Sequence, residues 1–183
     1  GLVESVKHAL IADGKYFDFL EQNLDAVLDR KPDVLEKVAH FNCEIKGDVV
    51  ETDPRELNKR RILNYGHTIG HAVEAASGFE LLHGEAVAIG IIAAGLIEIE
   101  LQFSQPGRLD RIRRIFEKLG VPVRLPRDLA EKDLIDLMKH DKKAVNKWPG
   151  FVLISEIGQV YCKNKQYAHE VKPEMVEKVL NKL

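Results

Sequence analysis

The chain is poor in cysteine: only Cys43 and Cys162 occur in 183 residues. Two cysteines exclude a disulfide scaffold and fit a reducing compartment, where free cysteines are expected as small buried hydrophobes. Long hydrophobic runs are also missing. The nearest candidate, Ala86–Ile97, is too short to span a bilayer. No basic segment followed by an apolar run opens the chain, so no signal peptide is read and a cytoplasmic protein is expected. An excess of one charge is lacking as well: 27 basic and 29 acidic side chains leave a net charge of −2. That excludes the basic footprint of a nucleic-acid-binding domain, and neither nucleic acid nor membrane is expected as a partner. No Gly-rich βαβ fingerprint occurs, so no dinucleotide domain is expected within these residues. Repeats and low-complexity tracts are absent from the sequence.

What is present is a length suited to one ordinary domain, on a prior of about 100–200 residues per domain, with helical periodicity through most of it. Leu2–Ala12 carries apolar residues at helical spacing and ends at Asp13-Gly14. Tyr16–Leu28 reads as a second helix. Asp33 is expected to cap a third, running to about Val49. Asp53-Pro54 marks a turn or helix start. Arg60–Ser77 is read as one helix despite Gly66 and Gly70; each interior Gly costs about 1 kcal/mol, which calls for a close-packing or ligand reason. Glu85–Leu101 is apolar all round and is expected as the central buried helix. Shorter helices are expected over Leu109–Leu119, Leu134–His140 and from Pro173 to Leu183. The one β signal is Phe151–Cys162, a hairpin about Ile157-Gly158.

Chemistry concentrates in Asn64-Tyr65-Gly66-His67-Thr68-Ile69-Gly70-His71, followed by Leu82-His83-Gly84-Glu85. His67 and His71 are four apart and share a helix face. Imidazole is the commonest biological metal ligand. His83 lies beyond a short turn, where a helix hairpin would bring it back beside His67. Three imidazoles and an acidic side chain make a plausible divalent-metal site, with an open position for catalysis. A lone helical His is more often structural; the glycine-flanked pair with His83 tips the reading toward metal. The zinc-protease pattern is excluded because Thr68 stands in the place of its general-base Glu. Lys46, Lys59, Arg60 and Arg61 lie upstream, and Lys142 and Lys143 lie ahead of the hairpin. Beside a metal, such cations with Asn64 suit a carboxylate or phosphate substrate. Taken singly, each is more often a solvated charge. Glu4 and Lys7, three apart, make at least a helical ion pair.

The run Arg60-x-x-x-Asn64-Tyr65-Gly66-His67-Thr68-Ile69-Gly70-His71-Ala72-x-Glu74, then Leu82-His83-Gly84-Glu85-Ala86-Val87-Ala88-Ile89-Gly90, strongly resembles the 3-dehydroquinate synthase family. Gly1-x-x-Glu4-x-x-Lys7-His8-Ala9, Lys46-x-x-Val49-Val50-x-x-Asp53, and Asp141-Lys142-Lys143 followed by Val152-Leu153 and Ile157-Gly158 resemble its further motifs, in order over nearly the whole chain. The resemblance implies a mainly α, multi-helical C-terminal domain with one small β-hairpin. It implies Glu4, His67 and His83 as ligands of Zn2+ or Co2+. His71 is implied at the phosphate end of the substrate, assisting proton transfer. Lys7, Lys46, Arg60, Asn64 and Lys142 are implied as substrate contacts, with Lys143 adjacent to the last. The implied reaction turns 3-deoxy-D-arabino-heptulosonate 7-phosphate, a phosphorylated sugar acid, into 3-dehydroquinate and phosphate, with NAD reduced and reoxidised in one turnover.

The family's N-terminal NAD-binding α/β domain is not among residues 1–183, and Gly1 opens straight into a helical pattern. A cut at a domain boundary is therefore expected, with the domain alone inactive and the full-length enzyme a homodimer. Rival readings are a related sugar-phosphate cyclase, such as a 2-deoxy-scyllo-inosose, epi-valiolone or aminodehydroquinate synthase, or a non-catalytic metal-binding domain.

Overall fold

A computed structural model describes residues 1–140 and 148–183. The element order is α1 (Leu2–Ala12), α2 (Gly14–Gln22), α3 (Leu24–Leu28), α4 (Pro32–Thr52), a 3-10 segment (Lys59–Asn64), α5 (His67–Ala76), α6 (His83–Glu100), α7 (Pro106–Lys118), α8 (Glu131–His140), β1 (Ile154–Glu156), β2 (Gln159–Val160) and α9 (Pro173–Leu180). The described fold is mainly helical, with one two-stranded antiparallel sheet. No described helix is long and apolar enough to cross a membrane.

The all-round apolar surface of α6 places it between two cores. Val87, Ala88, Ile91 and Ile92 face a core built with α1, α2, α3, α4 and α7. Ala86, Ile89, Ala93 and Ile97 face a second core with α5, α8 and α9. The extended segment before β1 repeats the division at period two. Val152 and Ile154 enter the first core, whereas Phe151 and Leu153 enter the second. Each fully buried Val or Ile contributes about 1.5–3 kcal/mol, so this straddling helix stabilises both cores at once.

Three polar anchors fix the layers around it. Asp13, at the end of α1, accepts from Lys15 N (2.8 Å) and Tyr16 N (3.1 Å) and so caps α2. His8 Nδ1 donates to Asn42 Oδ1 (2.9 Å), and the Asn42 amide donates to Ser5 Oγ (2.8 Å), which sets the rotation of α1 on α4. Glu98, fully buried on α6, accepts from Ile154 N (2.8 Å) and Arg108 (2.5 Å). Arg108 also donates to the carbonyls of Ile154 and Ser155, tying the hairpin to α6 and α7. Burial pushes the Glu98 carboxyl up to about 7, against the opposing pull of Arg108 and the Ile154 N–H.

Several elements differ from the sequence expectation. The stretch 16–28 is two helices, because Asn23 leaves helical geometry and its amide bonds back to Phe19 O (2.9 Å). Asp33 is not a cap: Pro32 occupies the first turn and Lys31 precedes it, which leaves Asp33 in that turn. The stretch 60–77 is not one helix. Gly66 sits at φ +76, in the left-handed region, and separates the 3-10 segment from α5. Its backbone lies against α6, where a Cβ on Gly90 would collide with the Gly66 carbonyl and come within 2.8 Å of Gly70 N. That close approach is the packing reason the glycines required. The hairpin is shorter than expected, with an irregularity between Ile154 and Glu156. Both cysteines are exposed rather than buried.

Candidate functional site

The glycine break at 66 also sets the first functional side chain. It turns the chain so that α5 begins at His67, and the ring of His67 folds back on the Tyr65 carbonyl, Nδ1 to O 3.1 Å. A carbonyl only accepts, so the proton sits on Nδ1 and Nε2 carries the lone pair. Nε2 lies 3.7 Å from Glu4 Oε1. The α5–α6 turn returns the chain through Gly78, at φ +62, and the Glu85 carboxylate accepts Leu82 N–H (2.9 Å) at the start of α6. His83 opens that helix, with its Nδ1 3.2 Å from Glu74 Oε2. The carboxylate holds the Nδ1 proton and leaves Nε2 as the donor. The ring centroids of His67 and His83 are 5.4 Å apart, and those of His67 and His71 are 5.2 Å apart.

Glu4 completes the set from α1. Lys7, one turn on and almost wholly buried, donates to Glu4 Oε2 at 2.7 Å. The other oxygen, Oε1, is buried and has no hydrogen-bond partner among the described residues. A buried carboxylate oxygen without a partner is costly unless something occupies it. Ligand atoms of Glu4, His67 and His83 all lie within 4.8 Å of one another. An orphaned carboxylate oxygen and two imidazoles whose other nitrogens are already bonded fit a divalent cation with a position left open.

The protonation states agree with that fit. Burial pushes His67 down to about 4; the Lys7 charge adds to this, and the Tyr65 carbonyl and Glu4 oppose it. His67 is therefore neutral at pH 7. Burial works to raise Glu4, but the charge and hydrogen bond of Lys7, with His67 and His8, outweigh it and leave its pKa lowered. Burial lowers Lys7, Glu4 counters, and the Lys46 charge lowers it further. The site thus combines ligands in their binding form with concentrated positive potential.

The other expected residues are placed as follows. His71 is exposed on α5, its ring 5.9 Å from that of His83. Lys46 is exposed on α4 and acts on Lys7 and His8 through its charge. Arg60 lies in the 3-10 segment; its guanidinium donates to Pro54 O (3.1 Å) and its N–H to Asp53 (3.0 Å). Asn64 donates to Glu56 Oε1 at 3.3 Å. Arg60 and Asn64 are thus held by the 53–56 turn rather than by the triad. Lys142 and Lys143 lie outside the described residues. The sequence reading gave no role to Glu74 or to the Tyr65 carbonyl. Glu74 was detectable, since it is three residues after His71 on the same helix face. The Tyr65 carbonyl was not, because its direction depends on the positive φ of Gly66.

A family model described as 3-dehydroquinate synthase C-terminal matches residues 1–144. The chain belongs to that family. Among relatives named 3-dehydroquinate synthase, the Desulforamulus reducens protein is 45% identical over 161 residues, covering 87% of this chain and 45% of its own length. The Ruminiclostridium cellulolyticum protein is 40% identical over 181 residues, covering 98% and 48%. The chain therefore spans about half the length of these 3-dehydroquinate synthases. A 2-deoxy-scyllo-inosose synthase complexed with carbaglucose-6-phosphate, NAD+ and Co2+ superposes with a TM-score of 0.87 at 27% identity, covering 100% of this chain and 51% of that one. A 2-epi-5-epi-valiolone synthase from Streptomyces hygroscopicus, with NAD+ and Zn2+ bound, has a TM-score of 0.81 at 24% identity and shares the fold. It covers 99% of this chain and 49% of its own. The 3-dehydroquinate synthase C-terminal family and these cyclases thus share one helical architecture.

Proposed function

We propose that this chain is the metal- and substrate-binding part of a 3-dehydroquinate synthase, which converts 3-deoxy-D-arabino-heptulosonate 7-phosphate into 3-dehydroquinate and phosphate. The observation that carries the reading is the orphaned Glu4 Oε1 facing two imidazoles of fixed tautomer. Glu4, His67 and His83 would hold Zn2+ or Co2+. Such an ion acts as a Lewis acid on a substrate hydroxyl and on the ketone derived from it, while NAD carries the hydride.

The chain's own residues supply position and charge. Lys7 pins one oxygen of Glu4 and leaves the other for the ion. Lys46, Arg60, Asn64 and Lys142 are assigned to the carboxylate and phosphate of the substrate, where charge-assisted hydrogen bonds are strong. His71, exposed beside His83, is assigned to a proton at the phosphate end. Fixing both ends of one substrate lets its ring close as an intramolecular step. In this reading the nicotinamide is bound mainly by an α/β domain outside residues 1–183, the assembled enzyme is a homodimer, and it works in the cytoplasm.

The second reading is another sugar-phosphate cyclase, favoured by the superposition on 2-deoxy-scyllo-inosose synthase. The 40–45% identities to proteins named 3-dehydroquinate synthase outweigh it. The deciding experiment joins this chain to the N-terminal half of the Desulforamulus reducens enzyme and follows phosphate release with NAD and Zn2+. Release from the heptulosonate phosphate, abolished by leaving out NAD, is expected. Release from glucose 6-phosphate alone would establish the rival. Rapid release by the 183-residue chain without the added half would overturn the division of labour.

A further inference from the structure

His83 belongs to two donor sets. It stands with Glu4 and His67 on one side and with His71 and Glu74 on the other, and in each set the ligand atoms all lie within 4.8 Å of one another. The sets differ in depth. The side chain of His67 is 11% exposed whereas His71 is exposed; Glu4, at 32%, is more open than Glu74, at 20%, but its Oε1 atom, the one beside His67, is buried. The first set is therefore an inner position and the second an outer one, on the solvent side of the shared imidazole.

We propose that His71, Glu74 and His83 form a second, weaker divalent-cation position, through which an ion passes between solvent and the inner set. His71 and Glu74 lie three apart on α5, so one helix face presents both. Their donors, with His83, are two imidazole nitrogens and a carboxylate oxygen, a set suited to Zn2+ or Co2+. Ligand atoms in a tetrahedral zinc site lie roughly 3.3 Å apart, so a 4.8 Å set closes by small side-chain rotations. The hydrogen bond from His83 Nδ1 to Glu74 Oε2, 3.2 Å, already holds the two side chains side by side.

A neutral imidazole offers one lone pair at a time, so the two positions exclude each other and one chain holds one ion. Rotating the half-exposed His83 ring by half a turn exchanges its nitrogens between the two sides. The inner position is the tighter one, because there the ion also satisfies the buried Glu4 Oε1. The competing explanation is that Glu74 only orients His83. It predicts no metal binding once the inner ligands are gone.

The test uses the 183-residue chain, freed of metal, with Zn2+ alone as the probe and a chromophoric chelator as competitor. Glu4→Gln with His67→Asn removes the inner set. The outer position predicts that this double variant still takes one ion per chain, about a hundredfold or more weaker than the unaltered chain. Adding His71→Ala then weakens that residual binding by about tenfold or more. A folded double variant that takes no ion overturns the proposal, and so does residual binding indifferent to His71→Ala. If the double variant does not fold, Glu4→Gln alone, nearly isosteric, replaces it; because His67 and His83 remain there, the deciding comparison is the added His71→Ala, and an unchanged affinity overturns the proposal. The inference rests on the inner triad, and the two failures are distinct. Unweakened binding in the double variant contradicts the inner ligands and with them the inward route, whereas loss of all binding contradicts the outer position alone.

Discussion

Lowering the pH of the metal-free chain reports directly on the setting of His67. Burial, helped by the Lys7 charge, pushes this imidazole from 6.5 down to about 4. Between those values the unfolded chain takes up a proton that the folded chain refuses. Stability therefore falls as the pH falls through this window. One pKa unit corresponds to about 1.36 kcal/mol, so the cost reaches about 2 kcal/mol at pH 5 and about 3.4 kcal/mol below pH 4. The side chain is 11% exposed, so solvent screening trims this little. His67→Asn removes the titrating ring and keeps an N–H for the Tyr65 carbonyl. Glu4, whose pKa is lowered against its burial chiefly by Lys7, also contributes less stability as the pH falls; Lys7 is kept in both proteins, so this largely cancels in the difference. Glu98, raised to about 7, is better protonated in the folded chain and so gains stability as the pH falls. It does so in both proteins and cancels in the difference. Urea unfolding followed by circular dichroism at pH 7, 6 and 5, with chelator present, measures the effect. The unaltered chain is expected to lose about 2 kcal/mol more than His67→Asn between pH 7 and 5. Equal losses would refute the reasoning, since His67 would then titrate alike in the folded and unfolded chains.

Glu98→Ala strands Arg108 and the Ile154 N–H in the core; it is expected to cost about 3–5 kcal/mol and lower Tm by roughly 10 °C, read by thermal melting. Gly90→Ala drives a methyl into the Gly66 carbonyl, so about 1–3 kcal/mol of stability is expected to be lost. Because α5 carries His67, metal affinity in a chelator competition should fall with it. Zn2+ at about a hundred times its Kd is expected to add about 2.7 kcal/mol and raise Tm by roughly 5–10 °C, reversed by chelator. An unmoved melt would mean that the folded chain has no site for the ion.

Much of the fold was legible because burial leaves a period in the sequence. Leu2–Ala12 was read with both ends correct, and the all-round apolar character of α6 announced a helix with cores on two sides. Breaks were harder to read. Asn23 and Gly66 interrupt runs whose apolar spacing continues across them, so periodicity alone extends the helix through each. A positive φ at Gly66 reflects tertiary packing against α6, which no local pattern records. In the site, the residues suggested His67 with His71 as the obvious pair, since four-residue spacing is the simplest way to place two imidazoles together. The resemblance supplied the alternative of Glu4 with His67 and His83, and the fold brings those three together. It also places His71 beside Glu74 and His83, so the four-residue pair falls on two different donor sets. Glu4 was illegible from spacing, because it stands 63 positions before His67 and α1 meets α5 only through the shared core.

The central claim is that Glu4, His67 and His83 hold the metal ion. Zinc content per chain after dialysis against a weak chelator tests it most directly, compared among the unaltered chain, His67→Ala and His83→Ala. The account predicts one ion per unaltered chain. For each variant it predicts affinity lower by about a hundredfold or more, with the folded spectrum kept. Full zinc content in both His67→Ala and His83→Ala would contradict it.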